Sequence, residues 1–266
     1  MQSKVKSRKS KGESQTHVAP DCYEAETPAE LIGAARDIAT AIVGEIKKTK
    51  SQARTLKFLA YGQPGSGKTS IAKMIAREIA ADRIDIEAVN GRNIDSETVR
   101  EWQRNSAYGS LFGGWKVKLI NEADLIPAPA QDLMLTYLDD LLPRNAVIAT
   151  SNQNVIALTE RFQTRFRLVK IAGPTCDELA RWLNKRWKLP KQAANFIALG
   201  AGGNVRMALL DSSDYLTFGK SEHRPKTLPI VKDVLKSDAA KRAWETMRSR
   251  GLPARAAQAE NGKGGA

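Results

Sequence analysis

Leu56-Lys57-Phe58-Leu59-Ala60-Tyr61-Gly62-Gln63-Pro64-Gly65-Ser66-Gly67-Lys68-Thr69-Ser70 is the stretch on which the fold turns. An apolar strand pattern ends at Gly62. A glycine-rich turn follows, and Lys68-Thr69 opens the helical pattern Ser70-Ile71-Ala72-Lys73-Met74-Ile75-Ala76. The spacing is G-x-x-x-x-G-K-[ST] between a strand and a helix, the setting in which such a loop cradles phosphate. Gly62, Gly65 and Gly67 have no Cβ, so the backbone can wrap an anion with its N–H groups turned inward. The helix that starts near Lys68 aims its positive end at the same point. Lys68 supplies a point charge to the β- and γ-phosphates, and the Thr69 hydroxyl suits Mg²⁺. The expected nucleotide-binding residues are therefore Gly62, Gln63, Pro64, Gly65, Ser66, Gly67, Lys68, Thr69 and Ser70, with ATP and Mg²⁺ as cofactors.

Strand and helix patterns alternate on either side of this loop. Thr27-Pro28-Ala29-Glu30 reads as a capped helix start, and Leu31, Ile32, Ala35, Ile38, Ile42 and Ile46 continue at helical spacing. Residues 84–89 alternate as a short strand, and Asp95 or Ser96 caps a helix carrying Val99 and Trp102. A strand is expected from Trp115 to Asn121, a helix from Ala128 to Leu142, a buried strand from Ala146 to Thr150, a short helix from Leu158 to Thr164, and a strand from Phe166 to Ile171. Such alternation predicts an α/β domain with a parallel five-stranded sheet covered by helices on both faces. After Gly173-Pro174 only helical patterns remain, near 176–187, 191–200 and 204–216, which read as a small all-α lid. The expected organisation is a disordered basic arm over 1–25, a nucleotide-binding domain over 26–173, a lid over 174–219, and a basic tail over 220–266 with one possible helix near Val231 to Arg248.

The 266 residues suffice for one large or two small cores. Lys and Arg number 42 against 29 Asp and Glu, a net charge of +13. That excess favours a polyanionic partner, most simply nucleic acid. Two cysteines, Cys22 and Cys176, without a C-x-x-C spacing speak against a disulfide framework and fit a reducing cytoplasm. His17 and His223 both fall in the terminal stretches, which leaves no zinc pattern. No apolar run approaches the length of a membrane span.

A second motif lies where an acidic strand end belongs in such an ATPase. Lys116-Val117-Lys118-Leu119-Ile120 delivers Asn121-Glu122-Ala123-Asp124. Asn121, at the position of a metal-shell carboxylate, can hydrogen-bond metal-bound water but brings no charge. Glu122 stands where a general base polarises the attacking water. Asn152, at the end of the fourth strand, can orient that water. Arg165 precedes the fifth strand, where a guanidinium can reach a neighbouring subunit's γ-phosphate. Arg206 opens a lid helix facing the nucleotide.

Taken together, these motifs resemble the AAA+ ATPases, and within them the clamp-loader subunits of the replication factor C small-subunit and bacterial gamma/tau type, over residues 27 to 216. Gly62 to Thr69 matches G-x-P-G-x-G-K-T, and Val89-Asn90 with Ile94-Asp95 and Val99-Arg100 resembles a shortened N-A-S-D…G-I-D-x-[IV]-R. Asn121-Glu122-Ala123-Asp124 resembles D-E-A-D, and Ala130-Gln131-Asp132-Leu133-Met134 resembles A-Q-x-A-L. Gln163-Thr164-Arg165-Phe166 resembles Q-S-R-C, and Gly203-Asn204-Val205-Arg206 resembles G-D-[MV]-R. The resemblance implies a sensor role for Asn152, an arginine finger at Arg165, a second sensor at Arg206, and DNA contacts near Arg92, Arg100 and Arg104. It also implies a homo- or hetero-oligomeric ring or spiral around DNA, with a sliding clamp or other replication protein as client. The chain departs from the family at Asn121, around Val18 to Tyr23, where no K-Y-R-P segment stands, and after the lid, where residues 220–266 are too short and polar for a helical collar. A non-hydrolysing scaffold subunit is the alternative that Asn121 suggests. A helicase loader, a branch-migration motor or a transposition ATPase are others, acting in the cytoplasm whether cellular or encoded by a virus or mobile element.

Overall fold

The structure, a computed structural model, describes residues 18–106, 108–110, 113–152 and 157–218. Helix α1 (Gly33–Thr49) leads to β1 (Leu56–Gly62), the glycine-rich loop and α2 (Lys68–Ile79). Then come β2 (Ile86–Asn90), α3 (Ser96–Ser106), β3 (Lys116–Asn121), α4 (Ala128–Asp139), β4 (Asn145–Ser151), the one-turn α5 (Glu160–Gln163) and β5 (Arg167–Ile171). Helices α6 (Cys176–Trp187), α7 (Lys191–Ala201) and α8 (Val205–Phe218) complete the described chain. No helix among these residues is long and apolar enough to cross a membrane.

The five strands form one sheet in the order β2-β3-β4-β1-β5, and each neighbouring pair runs parallel. Parallel neighbours need crossover helices, which cover both faces. The central strand β4 is buried at all seven positions, which is why Ala146-Val147-Ile148-Ala149 reads as an unbroken apolar run. On one face α1 and α2 pack Ala39, Ile42, Ile46, Ile71 and Ile75 against Phe58 and Ile148. On the other, α3, α4 and α5 pack Trp102, Met134, Leu138 and Phe162 against Leu59, Ile120 and Val147. Each such apolar side chain contributes on the order of 1.5–3 kcal/mol when fully buried. The strand order changes direction beside β1, so the carboxyl ends of β1, β3 and β4 open onto one crevice.

The lid has a core of its own, with Leu179, Leu183, Leu189, Ile197, Ala198 and Ala208 buried together. Ile32 belongs to this cluster, while the adjacent Leu31 belongs to the α1–α2 core. The two cores thus meet at consecutive residues.

Three expectations change. The capping box at Thr27 and Glu30 closes a 3-10 turn, Pro28–Glu30, and not a helix. Helix α1 begins at Gly33, because Leu31 and Ile32 must stay extended to reach the two different cores. The arm expected to run to residue 25 is ordered from Val18. Pro20–Cys22 forms a 3-10 turn that buries Pro20, and Tyr23 stacks edge-on against Trp182 and Trp187 at 5.4 and 5.5 Å. Burial, then the nearby Glu30 carboxylate, pushes the Tyr23 phenol up to about 12. Helix α4 ends at Asp139, short of the expected Leu142. The helix expected near Val231 to Arg248, His17 and His223 lie outside the described residues.

Candidate nucleotide site

A cleft of about 730 Å³ opens at the carboxyl ends of β1, β3 and β4, a size in the range of small-molecule sites. Pro64 to Ser70 form its floor. Asn121 and Glu122 enter from β3, Asn152 follows β4, and Arg206 enters from the lid. Six of the positions read from sequence as chemistry-bearing (Lys68, Thr69, Asn121, Glu122, Asn152 and Arg206) therefore share one cavity, although up to 138 positions separate them in the chain.

The loop's geometry follows from its glycines. Gly65 has φ +73°, and a Cβ there would lie 1.9 Å from Asn204 Oδ1. The lid is therefore seated directly on the loop, where the Val205 N–H donates to the Gly65 carbonyl at 3.1 Å. Asn204 Oδ1 in turn accepts from the Met207 N–H at 3.2 Å and caps the start of α8. Gly67, with φ +94°, hands the chain into α2.

Lys68 is 7% exposed, and its ammonium donates to the Gly62 and Gln63 carbonyls at 2.9 and 2.8 Å. Burial holds its pKa below the ordinary lysine range. The Asp124 carboxylate opposes that shift, and the Arg206 guanidinium adds to it. Two cations thus face one cleft, the arrangement that suits a polyphosphate. The buried Ser66 Oγ and Asn121 Oδ1 have no hydrogen-bond partner among the described residues. A buried acceptor without a donor is costly unless a ligand or its bound water supplies one.

At the end of β3, Glu122 takes a left-handed backbone, φ 55° and ψ 55°. Its N–H donates to Thr150 Oγ1 at 3.3 Å, and its carboxylate accepts from Asn90 Nδ2 at 2.9 Å. The preceding turn crowds this corner, since a Cβ on Gly91 would meet the Glu122 carbonyl at 2.3 Å. A residue with a strained backbone and a carboxylate held by a neighbour at a cleft marks a functional position. Asp124 accepts from the Asn152 N–H at 3.1 Å, so the fourth-strand terminus is tied to the acidic motif.

Arg165 does not line this cleft. Its guanidinium faces Asp139 at the end of α4, with Nε and one terminal nitrogen 3.2 and 3.0 Å from the two carboxylate oxygens. Arg92, Arg100 and Arg104 lie outside the cleft as well, exposed on and before α3. Of these, Arg100 and Arg104 share the carboxylate of Glu97, at 3.7 and 2.8 Å.

Sequence reasoning assigned no site role to Asn90 or to the segment Asp21 to Ala25, and both line the cleft. Asn90 ends an alternating strand and entered the sequence reading only as part of the family-like Val89-Asn90 motif, with no site role. Its placement beside Glu122 depends on the parallel register Asn90↔Asn121. Tyr23 and Glu24 reach the cleft because the segment straps the lid to α2. The Ser213 hydroxyl donates to Asp21, the Trp187 indole donates to the Val18 carbonyl, and Lys73 donates to Glu24 at 2.6 Å.

A parallel sheet of this order, a glycine-rich loop feeding a helix, and a helical lid on that loop make up a P-loop fold of AAA+ type. Residues 58–171 match the model of the family described as ATPase family associated with various cellular activities. The chain is also similar in sequence to clamp-loader subunits. It is 28% identical over 160 residues to the replication factor C large subunit of Sulfurisphaera tokodaii, covering 57% of this chain and 36% of that protein. It is 24% identical over 191 residues to replication factor C small subunit 2 of Pyrobaculum aerophilum, covering 68% and 54%. It is 27% identical over 165 residues to the sliding-clamp-loader large subunit of Enterobacteria phage T4, covering 61% and 49%. The matches thus span about a third to a half of those relatives' length. The RuvB Holliday junction branch migration motor of Thermotoga maritima shares the fold at a TM-score of 0.58, with 17% identity over 86% of this chain and 81% of that one.

Proposed function

We propose that this chain binds ATP with Mg²⁺ at an inter-subunit site and acts on DNA as an oligomeric, clamp-loader-like switch. One observation carries the reading. Lys68, Asn121, Glu122, Asn152 and Arg206 converge on one cleft, whereas Arg165 is placed away from it. A site that holds everything but its last cation suits completion by a neighbouring protomer. Lys68 and the loop N–H groups hold the β- and γ-phosphates, and Arg206 closes over them from the lid. Thr69 and Asn121 are the residues that would hold Mg²⁺, which when bound neutralises charge between those phosphates. Glu122 accepts the proton of the attacking water, and Asn152 orients that water. The unpaired Asn121 Oδ1 and Ser66 Oγ support a site built for a ligand. The relatives' clamp-loader descriptions support DNA as the partner and a sliding clamp as the client.

Asn121 favours a second reading, a nucleotide-binding scaffold without turnover. An amide at the metal-shell position supplies no charge to hold Mg²⁺. Steady-state ATP hydrolysis with and without primed or single-stranded DNA separates the two. DNA-stimulated turnover that Glu122→Gln abolishes supports the switch. A silent wild type that Asn121→Asp awakens supports the scaffold.

A further inference from the structure

Arg165 is held at more points than an exposed arginine needs. Its Nε and one terminal nitrogen pair side-on with both oxygens of Asp139, and its other terminal nitrogen donates to the Arg161 carbonyl at 2.9 Å. The backbone beneath it is fixed too. Phe162 and Phe166 flank the arginine, both buried, with ring centroids 5.1 Å apart. Thr159 caps α5, accepting from the Phe162 N–H. Asp139 sits on the last turn of α4, which is anchored by the buried Met134 and Leu138.

We infer that Asp139 is a positioning residue for Arg165, fixing the guanidinium so that its free end projects from the protomer toward a second protomer's nucleotide. This rests on the inter-subunit reading above and goes beyond it by naming what presets the arginine. A guanidinium has five N–H donors. The side-on pair with Asp139 spends one from Nε and one from a terminal nitrogen, and the Arg161 carbonyl and the Thr164 hydroxyl take the two of the other, at 2.9 and 3.4 Å. The fifth, on the terminal nitrogen that pairs with Asp139, therefore stays available for a phosphate oxygen while Asp139 stays bound. Sequestration is the competing idea, and magnitude decides against it. An exposed ion pair is screened by water and is worth little, whereas an arginine on a transferring phosphoryl group is worth about 10³–10⁵ in rate. So weak a pair cannot withhold Arg165 from a phosphate, but a planar two-point contact can fix its direction.

The test uses the full-length protein and DNA-stimulated ATP hydrolysis, with kcat and KM measured separately. Asp139→Ala should lower kcat by about 10- to 100-fold, the scale of a misplaced catalytic group, and leave KM unchanged. Asp139→Glu, which keeps the fork, should recover most of the rate. In an Arg165→Ala background, Asp139→Ala should cost nothing further. Thermal melting of each variant checks that the fold is kept, and Asp139→Asn, which keeps volume but loses the two-point acceptor, stands in if the alanine variant melts early. Wild-type kcat in Asp139→Ala and Asp139→Asn, or an equal loss in the Arg165→Ala background, overturns the proposal. So does wild-type kcat in Arg165→Ala, since Asp139 then has no catalytic group to position. Failure of the underlying reading looks different: the wild type itself shows no DNA-stimulated turnover.

Discussion

At the scale of single residues, the acidic corner is where the chemistry is most exposed to test. Glu122 has a left-handed backbone, and its carboxylate accepts from Asn90 at the cleft. Replacing it with glutamine keeps the shape and removes the base. We expect Glu122→Gln to lower hydrolysis by about 10²–10⁴-fold, the usual contribution of a general base, while a fluorescent ATP analogue still binds. Asn121→Asp should act on the metal instead. It adds a charge beside an acceptor that is already buried and unpaired, so half-saturation by Mg²⁺ should fall to lower concentration. An unchanged Mg²⁺ titration would mean that Asn121 does not face the metal.

At the scale of elements, the junction between the phosphate loop and the lid is the tightest. Gly65→Ala would set a Cβ against Asn204 at a backbone angle that side chains rarely adopt. A cost of about 1–3 kcal/mol is expected, read as a lower melting temperature together with weaker nucleotide binding. A surface glycine such as Gly44, with nothing near its Cβ, should tolerate the same change. Helix α6 offers a second check. The Thr175 hydroxyl accepts from the Glu178 N–H, and Glu178 accepts from the Thr175 N–H at 2.9 Å. Thr175→Ala should cost about 1 kcal/mol, or about 2–4 °C in melting temperature for a chain of this size. The backbone N–H and then the hydroxyl of Thr175 hold the Glu178 carboxyl below the ordinary range. Its folded pKa is depressed, so the contribution is full above the unfolded value of about 4.3 and is lost as pH falls through the folded one. The melting difference between wild type and Glu178→Gln should therefore shrink as pH is lowered below about 4.

At the scale of the whole molecule, the question is where the positive charge lies. Much of the chain's Lys and Arg excess falls in residues 1–17 and 219–266, while many cations of the described body are paired. Lys118 is bonded to Glu87, Arg167 to Glu45, Lys50 to Glu78, and both Arg100 and Arg104 to Glu97. Arg92 forms no such ion pair among the described residues, so it is the strongest of the three candidate DNA contacts. If it meets a phosphate, Arg92→Ala should weaken DNA binding equally for different sequences and reduce the slope of log affinity against log salt by about 1. Glu97→Ala should act in the opposite direction by freeing Arg100 and Arg104. An unchanged salt slope in both variants would remove this helix from the DNA interface.

The sequence by itself determined the phosphate loop, the alternation of strands and helices, the parallel sheet and the following helical lid. Each rests on local patterning: glycine spacing, apolar period and capping residues, which the chain carries wherever it is placed. The AAA+ resemblance followed from those same residues. Tertiary structure alone decided what meets what. Parallel register brought Asn90 to Glu122, two diverging cores held Leu31 and Ile32 extended and delayed α1 to Gly33, and the lid's tryptophans ordered Val18 to Ala25. It also set Arg165 on Asp139 and away from its own cleft. These are contacts between positions from 26 to 192 apart, and no period in the sequence encodes them. They arise only when buried surfaces on separate elements are forced to share one interior.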